Sequence, residues 1–152
     1  MTRYFEDLEP GDVFETSGYT VKKNEIIEFA EQFDPQPFHV DEAAAEDSIF
    51  GGLIASGIHT MALASKLTVE ETFDMIANLG GRGMDDLQFH QPVRPGDTLH
   101  VELEVLETTP SERHSERGYV TYEQRVLDDS DAVVLSLRME TIVRRRPEGQ
   151  TE

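Results

Sequence analysis

The hydrophobic pattern changes period along the chain, from helical spacing in the first half to strict alternation in the second. After a turn at Glu9–Asp12, the segment Val13–Val21 reads as a strand with a glycine inside it. Ile26, Phe29, Ala30 and Phe33 then recur at i, i+3, i+4 and i+7, which predicts a short helix capped by Asn24. Pro35 restricts Asp34 to extended backbone and helps end that helix, and Pro37 restricts Gln36 in the same way. Val40–Gly52 reads as a helical turn followed by a glycine break. Leu53–Phe73 is the most apolar stretch, and its apolar residues spread beyond one stripe, which predicts a buried helix. Asn78–Asp86 is glycine-rich and reads as a loop.

Beyond this point the chain is strand-like. Leu99, Val101, Leu103 and Val105 alternate with His100, Glu102 and Glu104, after a tight turn centred on Pro95-Gly96. Gly118–Asp128 predicts a second long strand, and Asp128–Asp131 a turn. Ala132–Val143 predicts a third strand, with Val133, Leu135, Leu137 and Met139 on one face. A sheet with one apolar face needs a cover, and Leu53–Phe73 is the element apolar enough to provide it. The expectation is an α+β domain over residues 1–146, a sheet wrapped around one long helix, with a polar, frayed tail at 147–152.

Composition narrows the function more than the fold. The 152 residues are 38% hydrophobic, enough for one real core. With no cysteine, a disulfide scaffold, a thiolate zinc site and a cysteine nucleophile are excluded. Met1–Asp12 has no apolar signal-peptide core, and no apolar run reaches the ~18 residues of a membrane span. A soluble, cytoplasmic protein is expected. The 31 acidic residues against 13 basic give a net charge of −18, which argues against nucleic acid as a partner. The acids are scattered, as on a solvated surface suited to high salt, rather than gathered for a basic partner.

Candidate chemistry starts with Asp34 and His39, five positions apart in a segment stiffened by Pro35 and Pro37. A carboxylate and an imidazole can divide general base and general acid work near neutral pH. On spacing alone, an aspartate closing a turn and an ordinary loop histidine explain the pair better. Asp41 and Glu42 lie close by, but no HxH or HExxH spacing supports a metal, and none is expected. Ser56 and Gly57 stand at the start of the long helix. Free N–H groups there favour negative charge, and a glycine lets a ligand approach the backbone. Capping and close packing explain the same residues. Ser65, further along the helix, is equally ambiguous. Arg82, between glycines, is a candidate anion contact without a phosphate-loop motif, and His90 and His100 are taken as structural.

Phe33–Leu67 and Leu87–Leu99 together resemble the MaoC-like dehydratases, the (R)-specific enoyl-CoA hydratase group of the hot-dog fold. The family's Asp-x-Asn-Pro-x-His motif stands here as Asp34-Pro35-Gln36-Pro37-Phe38-His39, with Gln36 in place of asparagine. The resemblance covers roughly residues 5 to 143. It implies a curved antiparallel sheet wrapped around a central helix and a pairing of two such units into a homodimer. It implies Asp34 and His39 as base and acid acting on a water and an enoyl thioester. The Gly57 N–H, with Ser56 beside it, would bind the thioester oxygen. Ser65 and Gln36 would support the pair. No metal or redox cofactor is implied, and the substrate would be an acyl-CoA. An acidic protein needs local cations for that anionic ligand, and Arg82, Lys66 and Arg144–Arg146 are the candidates. A hot-dog thioesterase and a non-catalytic acyl-CoA binding subunit are the rivals. Retention of both Asp34 and His39 disfavours the second.

Overall fold

A computed structural model describes residues 1–149; the end of the predicted polar tail, residues 150–152, lies outside the described residues. The elements are β1 (Val13–Glu15), β2 (Tyr19–Thr20), α1 (Lys23–Phe33), α2 (Pro37–Val40), α3 (Glu42–Glu46), α4 (Gly57–Glu71), β3 (Asn78–Phe89), β4 (Thr98–Pro110), β5 (Arg117–Leu127) and β6 (Val133–Arg144). The strands form one antiparallel sheet in the order β1-β4-β5-β6-β3, with β2 also on β4. The glycine predicted inside a first strand, Gly18, instead lies between β1 and β2.

The three long strands follow the predicted alternation. Leu99, Val101, Leu103 and Val105 are buried, as are Val120, Tyr122 and Val126 of β5 and Leu135, Leu137 and Met139 of β6. Val134 is buried where Val133 was expected, because the β5–β6 register shifts between Val126 and Leu127. Leu63, Ala64 and Leu67 of α4 pack into this face.

Four local expectations are corrected. The long helix begins at Gly57, not Leu53. Leu53–Ser56 is buried and extended, held by Ile54 N–H to Phe38 O (3.2 Å) and Ala55 N–H to Val93 O (2.8 Å). Apolar periodicity cannot separate such a segment from a helix. Helix α4 is also open on one face, with Ile58 and Val69 about half exposed and Ala62 and Ser65 exposed. Helix α1 is capped at Lys22 rather than Asn24, because the Glu25 carboxylate reaches back to Lys22 N–H (3.3 Å). The glycine-rich segment Asn78–Asp86 is strand rather than loop. Pairing with β6 supplies the hydrogen bonds that its composition does not promise, with register shifts around Gly80, Gly83 and Asp86.

On the solvent side of the sheet, Arg125 bonds Glu102 (2.5 Å), Glu104 (3.0 Å) and Glu123 (2.9 Å) across β4 and β5. It is the counter-charge of a carboxylate cluster in a strongly acidic chain. Arg125→Ala is expected to cost about 1–2 kcal/mol in low-salt urea unfolding, and less in high salt as repulsion is screened. An unchanged midpoint at low salt would refute this.

Candidate active site

The chain brings Asp34 and His39 together through two short turns. Asp34 ends α1, with its N–H on Ala30 O (2.8 Å). Gln36 takes the extended backbone expected before proline (φ −72°, ψ 144°), and Pro37 opens the single turn α2 that carries His39. His39 is therefore helical rather than in a loop, and its side chain is buried. Its Nδ1 lies 2.7 Å from Ile54 O. A carbonyl only accepts, so Nδ1 carries a hydrogen and Nε2 is the nitrogen left for proton exchange. That Nε2 is 3.4 Å from Asp34 Oδ2.

Both Asp34 oxygens receive neutral donors. Ser56 Oγ donates to Oδ2 (2.7 Å) and Gln36 Nε2 to Oδ1 (2.8 Å). The Ser56 hydroxyl foremost, then the Gln36 amide and the His39 ring, hold the Asp34 carboxyl below its ordinary pKa against the opposing effect of burial. Ser56 is fully buried and also caps α4, accepting from Ile58 N–H (3.2 Å). Its hydroxyl is thus directed at Asp34, not at a ligand oxygen.

Asp34, Gln36, His39, Ser56 and Gly57 share one cavity of about 470 Å³, walled by Phe38, Phe50 and Phe89 among others. Gly57 opens α4, where a first-turn N–H has no partner within the helix. A Cβ on Gly57 would lie 2.3 Å from Phe89 Cε1, so close approach requires glycine here. The site therefore combines a carboxylate, an imidazole and a helix N-terminus around a largely apolar space.

Other predicted residues lie elsewhere. Ser65 and Arg82 line a second cavity, further along α4, and Arg82 is ion-paired with Glu140 (3.0 Å). Lys66 pairs with Glu70 (2.6 Å) on the helix surface. Arg144 ends β6, Arg145 pairs with Glu6 (2.8 Å) and Arg146 with Asp7 (2.5 Å), so the last two are held by carboxylates near the N-terminus. Asp41 caps α3 through Ala43 N–H (2.9 Å), and Glu42 pairs with Lys23 (3.1 Å). Among the described residues no cluster of three or more His, Asp or Glu is placed to hold a metal. His100 is 3.9 Å from Asp131. His90 bonds Ser136 (2.7 Å), yet it also lines the cavity. His59 stacks on Phe29 (4.6 Å), and burial lowers its pKa.

Sequence reasoning missed Ile54, whose carbonyl orients His39, and Phe89, which covers Gly57. It also missed Arg94, whose guanidinium bonds the carbonyl of the cavity residue Phe50 (2.6 Å). Of these, Arg94 had a local signal, as a cation beside the Pro95-Gly96 turn.

The chain is 36% identical over 140 residues to the uncharacterized protein YdeM of Bacillus subtilis, covering 92% of this chain and 98% of that protein. It is 28% identical over 141 residues to the (R)-specific enoyl-CoA hydratase of Rhodospirillum rubrum, covering 89% and 92%. The crystal structure of a MaoC-like dehydratase from Rhodospirillum rubrum superposes with a TM-score of 0.86 at 41% identity, covering 95% of this chain and 99% of that one. The α+β architecture is the hot-dog fold of its structural relatives. No helix among the described residues is long and apolar enough to cross a membrane. The MaoC like domain model matches residues 6–126, and the chain belongs to the MaoC-like dehydratase family.

Proposed function

We propose that this protein reversibly hydrates a trans-2-enoyl-CoA to an (R)-3-hydroxyacyl-CoA. The observation that carries this reading is the 3.4 Å approach of Asp34 Oδ2 to His39 Nε2 in a cavity that also holds Gly57. In hydration, Asp34 takes a proton from water as the water oxygen bonds C3. The C2–C3 π pair accepts a proton at C2 from Nε2–H of His39, whose ring enters this step protonated on both nitrogens and leaves it neutral with its hydrogen on Nδ1. The proton on Asp34 then returns to His39 across the short gap, and dehydration runs the same steps backwards. The Gly57 N–H and the α4 dipole stabilise charge on the thioester oxygen. The conjugated carbonyl takes up the charge, so the chemistry asks for no metal or redox group. The (R) configuration is supported by the likeness to an (R)-specific hydratase.

The working unit is proposed to be a homodimer. Leu79, Met84, Leu87 and Phe89 of the edge strand β3 are exposed, together with Ile58 and Val69 of α4. A second copy laid across this face would cover them.

The test is the enoyl-thioester absorbance of crotonyl-CoA. Loss of the band with formation of an (R)-3-hydroxy product supports the reading. Release of free CoA thiol, with the double bond intact, would replace it with a thioesterase. Ser56→Ala adds a pH test. Asp34 acts as base only above its pKa, so activity is lost as pH falls through that value. Removing the Ser56 donor raises that pKa, and the acid limb of kcat/KM should move to higher pH. A limb that stays in place would show that Asp34 is not the titrating base.

A further inference from the structure

His59 is a buried histidine that the chemistry proposed at Asp34 does not use. It stands on the first turn of α4, two residues beyond Gly57, at 5% exposure, and it does not line the catalytic cavity. Its Nδ1 is buried without a hydrogen-bond partner, so no polar contact at that atom explains its place. What the ring does have is a covered face. It stacks almost parallel on Phe29 of α1, with centroids 4.6 Å apart and planes 10° apart.

That contact lies beside the two helix ends that build the site. Ser56 and His59, three residues apart at the start of α4, both reach α1. Ser56 Oγ donates to Asp34 at the end of α1 (2.7 Å), and His59 covers Phe29 five residues before it. Phe29 in turn meets Phe33 (5.1 Å), the residue that precedes Asp34. Five residues of helix span about 7.5 Å, so a displacement at Phe29 is carried along a stiff rod to Asp34. The charge state of His59 suits the stack. Burial lowers its pKa against the pull of Glu25 on α1, which itself accepts from the Tyr19 hydroxyl of β2 and from Lys22 N–H (3.3 Å). The ring is therefore uncharged at neutral pH and lies on Phe29 as a neutral plate.

We propose that His59 is a positioning residue, whose ring is the stop against which α1 rests and which sets the reach of Asp34 toward Ser56 and His39. Its kinetic consequence rests on the hydratase reading above, whereas its effect on Asp34 does not. An Asp34 that drifts from Ser56 loses the donor that does most to hold its carboxyl below the ordinary pKa.

Two variants separate the ring face from the nitrogens. His59→Leu keeps apolar bulk and removes the flat face, and His59→Phe keeps the face and removes both nitrogens. Asp34 is titrated through its carboxyl ¹³C signal, with crotonyl-CoA hydration followed in parallel. His59→Leu is expected to raise the Asp34 pKa toward the ordinary aspartate value and to lower kcat about tenfold, with KM changed by less than about twofold. His59→Phe should titrate as wild type and keep kcat within about twofold. Phe29→Leu removes the same stack from its half-buried side and should shift Asp34 as His59→Leu does, which keeps the test open if His59→Leu does not fold. A purely structural role would lower the thermal midpoint and leave the Asp34 titration in place, and that result would overturn the proposal. So would a shifted Asp34 in His59→Phe, because a nitrogen would then carry the role. The titration needs no turnover. A wild type that leaves crotonyl-CoA unchanged, while His59→Leu still shifts Asp34, would remove the hydratase reading and keep His59 as the positioning residue.

Discussion

Asp34→Asn is expected to lower the hydration of crotonyl-CoA by about a thousandfold, with the fold unchanged. The substitution keeps the shape of the side chain and an oxygen able to accept from Ser56 Oγ, which now lies 2.7 Å from Oδ2. What it removes is the ability to take a proton. General base catalysis is worth about 10²–10⁴ in rate, and the loss belongs in kcat more than in KM. Asp34 is a partly exposed helix-end residue rather than core, with its side chain at 19% exposure, so unfolding should shift little. A variant that keeps more than about a tenth of wild-type activity would remove Asp34 from the role of base and leave His39 to act alone.

Gly57→Ala is expected to reduce kcat by about a hundredfold with only a small change in thermal midpoint. The new methyl would lie 2.3 Å from Phe89 Cε1, which no side chain tolerates unless the ring moves. Phe89 is 59% exposed in the single chain, so its ring can turn away at little cost to the fold of one subunit, and any further cost falls on the proposed pairing of two copies. Alanine is also a better helix residue than glycine, which offsets part of that cost. The damage falls on the site, because methyl and displaced ring both occupy space beside the Gly57 N–H. Full activity in a correctly folded Gly57→Ala protein would mean that no ligand oxygen approaches that N–H closely. A large loss of thermal midpoint would instead mean that Phe89 is fixed in place.

Much of the candidate site was readable because it depends on residues close in sequence. Pro35 and Pro37 limit the backbone locally, and Asp34, Gln36 and His39 follow within six positions, so the turn that joins them is a short-range property. The resemblance to a known family then attached a chemistry to a pair that spacing alone left open. The strands β4, β5 and β6 were equally legible, since alternation by two commits each residue to a face whatever the partner strand.

What the linear chain left undecided depends on partners distant in sequence. Asn78–Asp86 looked like a loop because glycine weakens a strand locally; β6, more than fifty positions away, supplies the bonds that make it one. Leu53–Ser56 looked helical because it is apolar, yet backbone bonds to Phe38 and Val93 draw it out, and that places Ile54 O against His39. Arg82 looked available for an anion until folding set Glu140, more than fifty positions away, against it, whereas the Lys66 pair with Glu70 is local, one turn on along α4. Ser65 matched a motif position, but the rise of α4 carries it away from Asp34 and into a different cavity. By itself the sequence determined the faces of the long strands and the local turn that joins Asp34 to His39, because each rests on steric limits within a few residues. The tertiary structure decided which tautomer of His39 is held, which cations are already neutralised and which ring His59 stacks against, because each depends on groups brought together from distant parts of the chain.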